Sequence, residues 1–165
     1  MLDNVIDLNN IPVLQAKLTN LKYRAIGLGT FWHHLLALKG IQWDSEKAVD
    51  YADKLYEKIA YLTIKASNEL AIEKGEYPVF EGSDWHTGSY FERRNYGKQD
   101  DTERFVTNEQ WNELINSVKE NGMRNGYLIA VAPNGSTSVI VMEVHQLILF
   151  IDNYISKKRK IIRFL

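Results

Sequence analysis

The chain has 165 residues, of which 45% are hydrophobic, and this is enough for one domain with a buried core. Its 20 basic and 21 acidic residues give a formal net charge of -1, so no global charge favours nucleic acid or a membrane surface. The absence of cysteine excludes disulfides, thiolate zinc sites and a cysteine nucleophile. No apolar run reaches the roughly 18 residues that span a bilayer, and no signal-peptide pattern opens the sequence. We therefore expect a soluble, cytoplasmic protein.

The first third of the sequence gives weak structural signals. Residues 1–20 show no clean period, and Pro12 interrupts them. The run RAIGLG at 24–29 is short, apolar and glycine-rich, which is typical of a buried strand that another backbone approaches closely. Residues 30–39 predict a short helix that ends at Gly40.

The clearest predicted element is a helix over residues 45–74. Asp44 or Ser45 can cap its free N–H groups, Gly75 suits the left-handed position after its last turn, and Pro78 prevents its continuation. Apolar residues recur at steps of three and four along the helix and predict one buried stripe. The stripe consists of Ala48, Ala52, Leu55, Ile59, Leu62, Ala66 and Leu70.

The second half predicts an irregular aromatic segment, a helix and a strand. Residues 76–105 are rich in aromatic and turn residues, and we expect rings to hold an ordered but irregular chain there. A helix is predicted over 108–121, with Trp111, Leu114, Ile115 and Val118 facing inward. The uncharged run YLIAVA at 127–132 predicts a strand covered on both faces. No linker or internal repeat divides the sequence.

The strand at 127–132 runs directly into the sequence Pro-Asn-Gly-Ser-Thr-Ser at 133–138. Ligands of α/β folds bind beyond the carboxyl ends of strands, and Gly135 lets backbone N–H groups approach an anion. The hydroxyls of Ser136, Thr137 and Ser138 can donate to phosphate or cap a following helix. The segment is no Walker loop, because no Gly-Lys-Ser/Thr follows. Taken alone, a segment of this kind is more often an ordinary strand-to-helix turn with a serine cap.

Blocks of sequence in the same order resemble the large (alpha) subunits of class I ribonucleotide reductases, and class Ib most closely. Together they extend over roughly residues 2–141. Starting at Leu2, Lys22, Tyr61, Glu81 and Asn121, they read LDNVIDLNNIPV, KYRAIGLGTFWHHLLALKGI, YLTIKASNELA, EGSDWHTGSYFERRNY and NGMRNGYLIAVAPNGSTS. The resemblance implies an α/β fold, a partial (half) ten-stranded barrel rich in helices. Residues 1–165 would form a single partial domain from the C-terminal part of that barrel.

The resemblance also implies a function, the reduction of ribonucleoside diphosphates to deoxyribonucleoside diphosphates for DNA synthesis. The family uses a cysteine thiyl radical and two reducing cysteines, so a chain without cysteine has no catalytic residue of this kind. Its implied partners are the remaining part of the large subunit and the small radical-generating subunit. The family needs the metal-radical centre of that small subunit and also a thioredoxin- or glutaredoxin-type reductant. No cofactor or metal is expected in this chain. The residues implied to bind the substrate diphosphate are Pro133, Asn134, Gly135, Ser136 and Thr137.

Other polar residues have simpler interpretations. Adjacent helix residues point in different directions, so the pair His33-His34 is a poor metal site. His86 follows Trp85 in the aromatic segment and is expected to be a packing or surface residue. Glu69 and Glu73 are expected on a solvated helix face.

The resemblance stops after Val141. Residues 142–150 stand where the family has a Gly-Ser-Thr run followed by Asp-Pro. Codons that could encode these residues give a sequence similar to the family's when they are read in another frame. We therefore infer a local frameshift, and ordinary divergence is the alternative.

Two functions remain open. The chain is either a fragment of the reductase large subunit, active only with companion chains, or an inactive remnant or standalone non-enzymatic module that binds a nucleotide or a protein.

Overall fold

A computed structural model describes residues 1–29, 32–100 and 103–130. Its described residues divide into two compact units, the first within 1–28 and 53–130 and the second within 29–52. None of the helices in the described ranges is both long and apolar enough to cross a membrane. In chain order the helices are α1 (Leu2–Leu8), α2 (Leu14–Tyr23), α3 (Trp32–Leu38), α4 (Glu46–Lys74), α5 (Asp84–Thr87), α6 (Ser89–Glu92) and α7 (Asn108–Asn121).

The long helix α4 confirms the predicted bounds. The Ser45 hydroxyl accepts a hydrogen bond from the Ala48 amide at 3.2 Å, and Gly75 ends the helix at φ +84°. The predicted apolar stripe is wrong in its second half, where Leu62 is 51% exposed and Ala66 is also exposed. The face that is buried there consists of Glu57, Ala60, Ile64, Ser67, Asn68 and Ala71. Because half of these side chains are polar, hydrophobic periodicity pointed to the wrong face.

Helix α7 and the aromatic segment before it form most of the core of the first unit. Thr107 caps α7 in a full capping box with Gln110, and Trp111, Leu114 and Val118 are buried as predicted. The aromatic segment is ordered by ring packing, also as predicted, although two single-turn helices, α5 and α6, interrupt its irregular course. The rings around Trp111 belong to Tyr61, Phe91 and Tyr96, with centroids 4.0 to 6.3 Å away.

The N-terminal residues contain more structure than the sequence indicated. Helices α1 and α2 lie on either side of Pro12, and α2 has no buried residue. Helix α2 ends at Arg24, which adopts the left-handed conformation at φ 45°. The weak apolar period of α2 follows from this exposure, because a helix that buries no side chain needs no apolar stripe.

In the second unit, α3 confirms the predicted short helix, which ends before Gly40 at φ +63°. Leu36 of α3 and Ala48 of α4 are buried. Trp32 stacks on Tyr51 with ring centroids 6.1 Å apart.

The predicted strands 24–29 and 127–132 meet in parallel, through a bridge between Leu28 and Ile129. The Ile26 and Leu28 amides donate to the Tyr127 and Leu128 carbonyls at 3.0 and 3.1 Å, and Ala130 donates back to Leu28 at 3.3 Å. From the first of these bonds to the second, the donor advances by two residues, from Ile26 to Leu28, but the acceptor by only one, from Tyr127 to Leu128. The extra residue on the donor side is the geometry of a β-bulge. A regular ladder is therefore not formed by the described residues.

The bulge falls at Gly27, where an added Cβ would lie 3.0 Å from the Ala130 Cβ, so the predicted close approach of two backbones is confirmed. The predicted burial on both faces is wrong for the described part of these segments, because Leu28, Tyr127 and Ile129 are 39%, 61% and 41% exposed. Leu128 belongs to the core, and the partly buried Ile26 packs against it. The described part of the chain is thus helical with one parallel bridge.

Candidate functional site

The segment that leads towards the predicted phosphate loop is anchored through its backbone. The amides of Arg124 and Asn125 donate to the Ser67 carbonyl and hydroxyl, both at 3.0 Å. The next amide, of Gly126, donates to the Tyr23 carbonyl at 2.8 Å. Ser67 lies on α4 and Tyr23 ends α2. Consecutive amides are thereby fixed to two helices just before the chain becomes extended.

Gly126 is required at this position by space. A Cβ there would lie 2.9 Å from the Tyr23 carbonyl oxygen and 3.3 Å from the Tyr77 ring. The Gly126 carbonyl also accepts a hydrogen bond from the Trp85 indole at 3.0 Å. Any side chain would push the extended segment away from α2 and from the aromatic core.

The side chain of Asn125 is 1% exposed and uses both ends of its amide. Its oxygen accepts from the Ser67 hydroxyl at 3.0 Å, and its NH₂ group donates to Asp3 Oδ1 and to the Arg24 carbonyl, each at 3.0 Å. Buried amides must satisfy these groups, since each unpaired one costs about 1–3 kcal/mol. Asn125 therefore joins α1, the end of α2 and α4 at one point.

Asp3 and Arg24 form a buried ion pair beside Asn125. Arg24 Nε donates to Asp3 Oδ1 at 2.8 Å, and the two terminal nitrogens of Arg24 clamp Asp7 at 2.8 Å each. Burial by itself would raise the pKa of Asp3, but hydrogen bonds and charge from Arg24 and Arg124 outweigh it and hold the pKa below its ordinary value. The hydrogen bonds to Asp7 raise the pKa of Arg24 despite its burial. Both groups are charged at neutral pH.

A cavity of about 640 Å³ in the first unit borders the extended segment from Gly126 to Ile129. Aromatic rings form much of its wall, including Trp85 and Tyr90, whose centroids lie 4.0 Å apart. Burial raises the pKa of Tyr96, another wall residue, to about 12, so its hydroxyl is protonated at neutral pH. The wall suits the packing of an apolar or aromatic group.

The carboxylates on this wall are already paired. Arg104 donates to Glu57 at 2.8 Å and to Asp53 at 2.7 Å, and the Trp111 indole donates to the other Glu57 oxygen at 2.9 Å. Burial by itself would lower the pKa of Arg104, but the bonds to these carboxylates raise it above its ordinary value. Both oxygens of the Glu57 side chain thus have a donor, which gives this residue a structural role in the wall.

The residues predicted to bind the diphosphate, Pro133 to Thr137, lie outside the described residues, as does the segment 142–150. The side chains given simpler interpretations are within them. His86 is exposed, and its Nδ1 accepts from the Gly82 amide at 3.0 Å, while the His33 ring lies 6.1 Å from that of Trp43. Glu69 and Glu73 are exposed, as predicted. Within the described ranges, no three metal-ligating side chains gather at one place.

Sequence reasoning missed the residues that hold the extended segment, namely Asp3, Arg24, Ser67 and Asn125. Asp3 lies in a stretch without clean periodicity, and Ser67 is followed by Asn68 and Glu69, as is typical of a solvent-exposed part of a helix. Polar residues at the helical spacing of Glu57, Ser67 and Asn68 were a usable signal, since a polar stripe on a long helix needs partners when it is buried. Their partners are far away in sequence, so no local pattern identified them.

The family description "Ribonucleotide reductase, barrel domain" matches residues 1–161. The chain therefore belongs to the ribonucleotide reductase barrel-domain family. Its relatives include the protein named ribonucleoside-diphosphate reductase subunit alpha in Treponema pallidum, which is 49% identical over 140 residues, or 84% of this chain. The proteins of the same name in Helicobacter pylori and Chlamydia muridarum are 44% and 37% identical, each over 86% of this chain.

The chain spans only a small part of these relatives. The matched segment makes up 15% of the Treponema pallidum protein, 18% of the Helicobacter pylori protein and 14% of the Chlamydia muridarum protein. Similarity alone therefore does not assign the activity, substrates or partners of those whole proteins to this chain.

Proposed function

We propose that this chain is a segment of a ribonucleoside-diphosphate reductase large subunit, of the class Ib type, and that it supplies the loop that binds the substrate diphosphate. The observation that carries the proposal is the anchored parallel segment at 127–130, which continues in sequence into Pro133-Asn134-Gly135-Ser136-Thr137. Family membership and the names of the relatives support the same assignment. The pairing of 26–28 with 127–130 supports a partial ten-stranded barrel as its fold.

The chemistry of the loop suits a diphosphate. Gly135 lets consecutive backbone N–H groups turn towards one anion, and the hydroxyls of Ser136 and Thr137 add donors. The positive end of a following helix would favour the same charge. A loop of this composition binds and orients a phosphate group but transfers no electron or hydrogen atom.

The reduction itself needs groups from other polypeptide segments. The chain has no cysteine, so the thiyl radical and the reducing thiols of the proposed reaction come from the rest of the large subunit. The radical originates in the metal-radical centre of a small subunit, and a thioredoxin- or glutaredoxin-type protein supplies the electrons. This chain contributes substrate binding and part of the barrel wall.

The test replaces the matching segment of the intact Treponema pallidum large subunit with residues 1–141 of this chain. We expect the chimaera to bind nucleoside diphosphates and the combined change of Ser136 and Thr137 to alanine to weaken this binding about tenfold, the loss of about 1.4 kcal/mol. Nucleosides without phosphate serve as the control ligands, because the loop does not contact them. Equal diphosphate affinity in the chimaera and its variant would refute the assignment of the loop.

The proposed frameshift over 142–150 is tested by a second pair of chimaeras. They carry residues 127–154 as found or frame-corrected, in the same large subunit. The segment as found places Met142, Val144 and Leu147 where small polar residues are expected, and such a change can shift the start of a helix whose first N–H groups would favour the anion. We expect frame correction to restore diphosphate affinity. Equal binding by both chimaeras would show that the altered segment does not matter to the site.

A standalone nucleotide- or protein-binding module is the second candidate, and a specific feature favours it. Val13, Leu14 and Leu18 on or next to α2 are 55%, 64% and 57% exposed, which is unusual for apolar side chains so close in sequence. Neighbouring reading frames discriminate between the candidates. Reading frames that encode the missing cysteines of a large subunit support the reductase.

A further inference from the structure

The cavity in the first unit has the size and the lining of a site for a small organic molecule. Its volume of about 640 Å³ falls within the roughly 300–1,000 Å³ of ligand pockets, which are mostly apolar and aromatic with few polar groups. The wall combines the paired rings of Trp85 and Tyr90 with the apolar side chains of Ile64 and Leu128. A flat or apolar body of a ligand would therefore be well covered.

The carboxylates of this wall already have donors. Asp53 and Glu57 bind Arg104, and Asp84 is paired with Arg93. Because these acceptors are occupied, they leave little demand for a hydrogen-bond donor on a ligand.

Donors on the same wall are open. The Arg94 guanidinium lies over the Tyr90 ring, 4.1 Å from its centroid, and no carboxylate in the part of the chain that the structure describes is paired with it. The Tyr90 and Tyr96 hydroxyls likewise bind no described residue, and the two rings are 6.5 Å apart. Burial raises the pKa of Tyr90 and raises that of Tyr96 to about 12, so both hydroxyls keep their protons. Donors without matching acceptors thus gather at one end of the cavity.

We propose that this cavity binds a small organic carboxylate with a flat apolar or aromatic body. The body packs against Trp85 and Tyr90, and the carboxylate accepts from Arg94 and Tyr96. A guanidinium can stack on a ring and bind a carboxylate through its fork of N–H groups at the same time. Arg94 is exposed, so the charged end of the ligand stays near water and little solvation is lost. The site is independent of the loop at 133–137 and of the reaction proposed above.

Lys58 and Tyr61 provide matched controls, because neither lines the cavity. The Lys58 ammonium lies over the Phe105 ring, 5.5 Å from its centroid, so K58Q removes one stacked cation as R94Q does. Tyr61 packs on the Trp111 ring, as Tyr96 does on another side, so Y61F removes one hydroxyl as Y96F does.

The experiment measures dissociation constants by equilibrium dialysis in the full-length chimaera that carries residues 1–141 of this chain. The probes are phenylacetate, phenylacetamide, which lacks the charge, and acetate, which lacks the ring. We expect phenylacetate to bind at least about tenfold more tightly than either of the others, since it alone uses both the rings and the open donors. R94Q should weaken phenylacetate binding by about tenfold and Y96F by about threefold, while phenylacetamide binding changes less than about twofold.

K58Q and Y61F should leave all three constants as in the parent chimaera. Saturable binding of phenylacetate that R94Q and Y96F do not weaken, or that K58Q weakens as much as R94Q, overturns the proposed site. Absence of phenylacetate binding to the intact chimaera also overturns it, because the remaining large subunit then closes the cavity to free ligands. Should R94Q fail to fold, as judged by near-ultraviolet circular dichroism, Y96F against Y61F decides by the same criterion.

Discussion

Asp3, Arg24, Ser67 and Asn125 form a buried polar network. Replacing Asp3 with asparagine removes one negative charge from the centre of this network and keeps the shape of the side chain. The Asp3 side chain is 2% exposed and accepts from Arg24, Arg124 and Asn125. An asparagine oxygen can still accept from Arg24 and Asn125. Its NH₂ group, however, would face the Arg124 guanidinium, a donor against a donor.

We expect D3N to lower the free energy of unfolding by about 3 kcal/mol at pH 7, because a charged hydrogen bond contributes about 1.5–3 kcal/mol and the buried Arg24 loses one of its two carboxylate partners. Asp7 offers a matched control, since it binds the same Arg24 but its side chain is 47% exposed. Solvent screens that pair, so D7N should cost about 1 kcal/mol or less.

The difference between wild type and D3N should depend on pH with a definite sign. The folded pKa of Asp3 is held below its ordinary value of 3.8, so its contribution is present above that value and is lost as the pH falls through the folded pKa. Urea unfolding at pH 7 and near pH 3, followed by tryptophan fluorescence, measures it. Equal costs for D3N and D7N at pH 7, or a D3N cost that does not shrink in acid, would refute the reasoning.

Further predictions concern the core and the isolated chain. W111F should lower the free energy of unfolding, measured in urea titrations, by about 2–3 kcal/mol, because it leaves a buried Glu57 oxygen without its donor and opens space beside Tyr96. A cost below that of D7N would contradict the role of Trp111 in the core. The chain alone should reduce no ribonucleoside diphosphate even with a small subunit and thioredoxin, since it has no cysteine; turnover above a control without protein would contradict this. If the chain is half of a barrel, light scattering should show association and a dye should bind exposed apolar surface; a sharp monomer peak with a cooperative melt and no dye binding would count against it.

The elements that sequence predicted well are those whose signals are local. Helix α7 combines the capping pair Thr107 and Gln110 with an apolar stripe and a terminal glycine, and its bounds follow directly. The same holds for the ends of α4 at Ser45 and Gly75. Each of these signals acts within one helical turn, so no knowledge of the remaining chain is needed to interpret them.

The elements that sequence missed depend on contacts between distant residues. Helix α1 has no side-chain cap, and the residue it buries is Asp3, whose partners lie on other elements. The buried face of α4 was misplaced because Ser67 and Asn68 look like surface residues until Asn125 and Ser117 are brought beside them. Polar burial of this kind becomes visible only when the partners are known.

The residues that hold the chain before the candidate site could not be predicted, for a related reason. The composition of 133–137 predicts an anion-binding loop, but nothing in those letters says how the chain is held before it. Gly27 gave the correct signal, and Gly126 carries the same one, because at each position a Cβ would meet another chain segment within about 3 Å. A glycine in or beside a short apolar run thus indicates that a backbone segment distant in sequence packs closely against it.

In the first unit, the aromatic core around Trp111 and the buried hydrogen-bonded residues around Asn125 have different roles. Full burial of an aromatic side chain such as Trp111 removes roughly 150–250 Å² from water, which at about 25 cal/mol per Å² exceeds the net value of any single hydrogen bond. The aromatic core therefore supplies most of the stability, yet apolar packing tolerates small shifts of one segment against another. The hydrogen bonds of Asn125 do not, because a shift of one residue would leave its amide, Asp3 and the Ser67 hydroxyl unpaired together.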